Sequence, residues 1–145
     1  MSKWVLQPTS LWLRQVRVGE HNKAACCDGA IDIDIEKIID HPNYSRATLN
    51  NDISILKLKT PITWSNKVRP VCLPSDASKS YAGVTGVASG WGRLSTGQSG
   101  PQSLHHVSLD VYAQNSCMNW GGVHKTKICA GGKDGKAVCN GDSGG

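Results

Sequence analysis

The run Gly141-Asp142-Ser143-Gly144-Gly145 sets a serine between glycines, directly behind an aspartate. Those surroundings suit an oxygen nucleophile whose own main chain must also hold negative charge. Gly141 and Gly144 have no Cβ, so a carbonyl group can approach the backbone closely. The N–H groups of Gly141 and Ser143 can then donate to the oxyanion formed when Ser143 Oγ attacks. An acid stands upstream: in Asn51-Asp52-Ile53 a carboxylate immediately precedes an apolar strand. A carboxylate held there can orient an imidazole and stabilise its cation during proton transfer. The chemistry read from these residues is acyl transfer.

The elements that must position them are strands. With 16 Gly, 6 Pro and an apolar content of 39% in 145 residues, the composition favours a turn-rich β protein. Ile31, Ile33 and Ile35 alternate with Asp32, Asp34 and Glu36, placing apolar and acidic side chains on opposite faces of a strand. The acids resemble a chelating cluster, but a solvated strand face is the better reading. Ile53, Ile55 and Leu58 mark a second strand, and Val107, Leu109 and Val111 a third. Gln15 to Gly19 and Val84 to Gly90 are further strands, with one helical turn expected within Asn115 to Trp120. Turn clusters lie between them at His41-Pro42-Asn43-Tyr44, Thr60-Pro61, Pro74-Ser75-Asp76 and Ser95 to Pro101. The stretch from Pro70 to Ser80 reads as a linker. It divides the chain into β-rich halves of about 1–72 and 73–145, a pattern of sandwiches or barrels.

Several classes of function are disfavoured. The net charge of +5 is modest and its Lys and Arg residues are scattered, which describes a basic soluble surface rather than a nucleic-acid site. No stretch approaches the roughly 18 apolar residues of a membrane span. Met1 to Leu13 does not read as a signal peptide. Cysteines stand at positions 26, 27, 72, 117, 129 and 139, without Cys-x-x-Cys spacing or a matching histidine pair, so no metal site is expected. Their even number fits an oxidising compartment, and the spacing leaves their connectivity open. The serine run also satisfies Gly-x-Ser-x-Gly, the nucleophile elbow of α/β-hydrolases. That fold places its acid and histidine after the serine and alternates strands with helices; here the acid precedes and the helices are missing.

Taken in order, the segments carry a family resemblance. They are Trp4-Val5-Leu6, Val16-Arg17-Val18-Gly19-Glu20-His21-Asn22, Ile38-Ile39-Asp40-His41-Pro42, Asn51-Asp52-Ile53 and Val71-Cys72-Leu73-Pro74, followed by Ser89-Gly90-Trp91-Gly92, Ile128-Cys129-Ala130-Gly131 and Cys139 to Gly145. Together they resemble the chymotrypsin/trypsin-like serine endopeptidases. The resemblance implies an all-β fold of two antiparallel β-barrels with the site between them, both barrels truncated here. It implies Asp52 as the triad acid, Ser143 as the nucleophile, and the N–H groups of Gly141 and Ser143 as the oxyanion hole. It also implies no cofactor, polypeptide substrates and protein protease inhibitors as partners, and secretion of the parent protein.

Departures from the pattern carry as much information. The family motif puts the general-base histidine after Trp4-Val5-Leu6, where this chain has Gln7-Pro8-Thr9 and then Ser10. His21 and His41 match non-catalytic positions, and His105, His106 and His124 fall in the other half. Leu6-Gln7-Pro8-Thr9 can be encoded so that a one-base change of frame reads Ala-Ala-His, which points to a shifted or mis-spliced junction. Sequencing the coding nucleotides there tests that origin. The base of the S1 pocket, six residues before the nucleophile, is Ala137, which implies an apolar P1 preference. Cys117 and Cys129 match a family disulfide, while the usual partners of Cys72 and Cys139 are not in the chain. In relatives that bind calcium beside Glu20, later ligand positions correspond to Cys27 and Ala30 here, so Glu20 is expected to be structural. Asp142 matches an aspartate that pairs with a freed N-terminal amine absent from this chain. The chain as given is expected to be inactive, and its rival reading is a non-catalytic homologue acting as a secreted binding module.

Overall fold

The computed structural model describes residues 1–9, 13–25, 29–76, 78–120, 124–132, 137–139 and 141–142. They form two compact units, Met1–Leu73 and Pro74–Gly145. In the first unit, β1 (Ser2–Gln7), β2 (Gln15–Val18), β3 (Ile31–Asp40) and β4 (Ser54–Ile62) build one antiparallel sheet in the order β1-β4-β3-β2. In the second, β5 (Thr85–Gly90), β6 (His105–Val111) and β7 (Ala130–Gly131) form a three-stranded antiparallel sheet, with a 3-10 helix over Gln114–Trp120.

β4 is the spine of the first sheet. Leu56 and Leu58 are wholly buried, and Leu58 packs with Ile33 and Ile62 against Val5, Val16, Val18, Ile35 and Val68. The buried face of β4 is therefore Ser54, Leu56 and Leu58, while Ile53 and Ile55 are exposed. The sequence marks Ile53, Ile55 and Leu58 as one strand, and the structure turns Ile55 outward and Leu58 inward. Apolar residues occupy both faces of this short segment, so alternation alone did not fix its parity. Thr60-Pro61, expected as a turn, lies inside β4. The β1–β4 register shifts between Ser2 and Trp4, and the β3–β4 pairing runs only to Leu58. A proline without an N–H is tolerated at such an irregular strand end.

The acidic face of β3 is held by cations from both neighbouring strands. Arg17 donates to both carboxylate oxygens of Asp32 at 2.7 Å. Gln15 and Lys59 each reach Asp34 at 3.0 Å, and Lys57 reaches Glu36 at 2.5 Å. No cluster of metal-ligating side chains occurs among the described residues. The Arg17 hydrogen bond holds the Asp32 carboxyl below its usual range, Gln15 and then Lys59 do so for Asp34, and Lys57 for Glu36. A carboxyl with a lowered folded-state pKa stabilises the fold above its unfolded value, and that contribution is lost as pH falls through the folded value. Thermal melts run downward through the carboxylate range should fall in Tm, less steeply at high salt, where exposed pairs are screened. Asp32→Asn should remove part of that fall; an identical pH profile in the variant would contradict the pairing.

Cys117, on the 3-10 helix, is bonded to Cys129, with Cα atoms 6.1 Å apart. A loop of this length contributes about 3 kcal/mol in the chain-entropy treatment. Cys129 is buried, and its carbonyl accepts from Tyr112 N–H at 2.8 Å, tying the bridge to the end of β6. Cys72 is an exposed thiol and Cys139 a half-buried one. No described helix is long and apolar enough to cross a membrane.

Candidate active site

The sheet register brings the acid to the residue before position 10. Gln7 of β1 pairs with Ser54 of β4. Two residues on from Gln7 is Thr9, and two back from Ser54 is Asp52. The backbone N–H of Thr9 donates to Asp52 Oδ1 at 2.8 Å. Asp52 is itself exposed. Its carboxylate is thus held by main chain.

Ser54 supports this corner and was not singled out from the sequence. It is almost fully buried, donates to Asp40 Oδ1 at 2.5 Å, and lies 3.2 Å from Thr9 Oγ1. Because Ser54 pairs with Gln7 on one side and Asp40 on the other, its hydroxyl links the ends of three strands. A buried hydroxyl needs such partners. The available signal was a small polar residue inside an apolar strand.

In the second unit the Asp142 carboxylate is seated on backbone donors. Gly92 N–H donates to Asp142 Oδ1 at 2.7 Å and Cys139 N–H to Oδ2 at 2.8 Å. Asp142 N–H returns a bond to the Cys139 carbonyl at 3.1 Å. Two charge-assisted bonds to main chain offset the desolvation of this carboxylate. The seat depends on glycine: a Cβ at either Gly90 or Gly92 would overlap the Asp142 side chain. Gly141 has φ 99°, a left-handed conformation that side-chain-bearing residues rarely adopt, and it approaches the Gly92 backbone closely.

Ala137, Val138, Cys139 and Asp142 line a cavity of about 390 Å³ with Gly90, Gly92, His105 and His106. His21, His105 and His106 are exposed, while His41 Nδ1 accepts from Asn43 N–H at 3.1 Å and His124 Nδ1 lies 2.9 Å from Thr126 Oγ1. Glu20 is bound by Arg17 Nη1 at 3.4 Å. Ser10, Ser143, Gly144, Cys26 and Cys27 lie outside the described residues.

Comparison with known proteins defines the class. The family model described as Trypsin matches residues 2–145. Serine protease 1 of Rattus norvegicus is 43% identical over 135 residues, covering 90% of this chain and 54% of that protein. Trypsin II-P29 of Gallus gallus is 37% identical over 150 residues, covering 99% of this chain and 60% of that protein. Among solved structures, GrC superposes with a TM-score of 0.86 at 27% identity, covering 97% of this chain and 64% of that one. Neuropsin, a serine protease expressed in the limbic system of mouse brain, gives 0.86 at 29% identity, covering 98% and 66%. The fold is the all-β, two-barrel fold of trypsin-like serine proteases. The chain belongs to the trypsin family of serine proteases. It spans about 54–60% of the length of these curated relatives.

Proposed function

We propose that this chain carries the nucleophile and the orienting acid of a secreted serine endopeptidase, with Ser10 in the place of the general base. Ser143 Oγ attacks the peptide carbonyl, the N–H groups of Gly141 and Ser143 receive the oxyanion, and Asp52 orients an imidazole at position 10. The observation that supports this most is the Thr9 N–H bond to Asp52. It ties the Asp52 carboxylate to the residue that precedes position 10 in sequence. With Ser10 there, no group takes the Ser143 proton, and the chain as it stands is inactive. Polypeptides are the substrates and protein protease inhibitors the expected competitors.

A fluorophosphonate probe tests the reading on two proteins: this chain, and a version completed at both ends with the corresponding segments of the rat relative and carrying Ser10→His. Labelling of Ser143 in the completed protein is the expected result. Labelling of neither, with both folded, would favour a non-catalytic binding module, the reading that Ser10 itself recommends.

Ala137 sets the expected specificity. A cationic P1 side chain entering a pocket with no carboxylate at its base loses its hydration without compensation. The completed, base-restored protein should prefer apolar P1 residues to Lys or Arg by at least about 10²-fold in kcat/KM, and Ala137→Asp should reverse the order. Cleavage confined to Lys and Arg with Ala137 in place would refute the assignment.

A further inference from the structure

We infer that Asn43 is an acceptor for an N-linked oligosaccharide, carried on the turn that leads into the loop presenting Asp52. Asn43-Tyr44-Ser45 is the only Asn-x-Ser/Thr triplet in the chain, and neither Tyr44 nor the following Arg46 is a proline. The three N–H groups of the triplet are all bonded within the same segment. Asn43 N–H donates to His41 Nδ1 at 3.1 Å, Tyr44 N–H to the His41 carbonyl at 2.9 Å, and Ser45 N–H to the Asn50 carbonyl at 3.1 Å. The Asn43 carbonyl accepts from Asn51 Nδ2 at 2.7 Å. Asn43 itself is exposed. A bulky, solvated substituent on its amide therefore requires no rearrangement of the turn. The Cys117–Cys129 bridge is independent support, because such bonds form in the oxidising compartment where the transfer takes place.

The donor is an oligosaccharide linked through pyrophosphate to a lipid. Asn43 Nδ2 forms a C–N bond to the anomeric carbon, the glycosyl C–O bond to pyrophosphate breaks, and the lipid pyrophosphate leaves. The amide gives up one proton to the transferase. Asn51 Nδ2 anchors the turn one residue before Asp52, so the glycan projects from the loop that carries the proposed acid.

The test expresses the full chain behind a cleavable leader in cultured animal cells, with Gly97→Asn as an internal reference. That substitution makes a second acceptor triplet with Gln98 and Ser99. Gly97 has φ 83°, which asparagine tolerates better than most residues, and open space where its Cβ would be. Transfer acts on the emerging chain, so the outcome does not depend on later folding. In Gly97→Asn chains, peptide N-glycosidase should remove two glycans, converting residues 43 and 97 to aspartate. Asn43→Gln and Ser45→Ala should each lose one mobility step, and Ser45→Thr should keep both. Occupancy at position 97 with none at 43, or two steps surviving Asn43→Gln, would overturn the inference.

Discussion

Ser10→His in the chain completed at both ends is expected to raise the rate of peptide hydrolysis by roughly 10⁶-fold. That is the loss seen when the base of a serine triad is removed. Acyl transfer needs a group that takes the serine proton and returns it to the leaving amine. Ser10 cannot do this near neutral pH. The proposed acid is held by Gln7–Ser54 pairing and the Thr9–Asp52 bond. Steady-state hydrolysis of an apolar-P1 anilide reads the effect. A rate unchanged by Ser10→His in the folded, completed protein would show that position 10 is not the base position.

Asp142→Ala should destabilise the second unit by about 2–4 kcal/mol, because two main-chain donors lose a charged acceptor together. That is a large share of the stability of a typical domain. Gly92→Ala attacks the same seat from the other side, pushing a methyl group into the carboxylate at a cost of about 1–3 kcal/mol. Removing the carboxylate also removes the overlap, so the double variant should lose less than the sum of the two. Urea unfolding followed by intrinsic tryptophan fluorescence measures all three. An unchanged midpoint for Asp142→Ala would contradict the part assigned to the Gly92 and Cys139 bonds.

Strand positions were legible where polar and apolar residues alternate cleanly. Asp32, Asp34 and Glu36 declare the solvent face of β3, and Val107, Leu109 and Val111 declare β6. The pattern fails where both faces are apolar. Trp4-Val5-Leu6 of β1 shows no alternation, and in β4 Ile55 and Leu56 stand side by side, so that pairing with β1 and β3 decides which turns inward. The candidate site divides in the same way. Asp52 and Ser143 are visible because their chemistry is rare in such company. Ser54 is not, since its importance lies in a register that joins Gln7 to Asp40. The partners of Asp142 were invisible for a further reason: they are backbone amides, which every residue possesses. Only the glycines at 90 and 92, which leave room for the carboxylate, register that contact in the sequence.

The orienting role of Asp52 is tested most directly by kcat in the completed Ser10→His protein, with and without Asp52→Asn. An amide at this position keeps the shape but favours the wrong imidazole tautomer, so kcat should drop by about 10⁴-fold. A kcat indifferent to Asp52→Asn would mean that the carboxylate held by Thr9 is a structural residue of the β4 loop and not the acid of an active site.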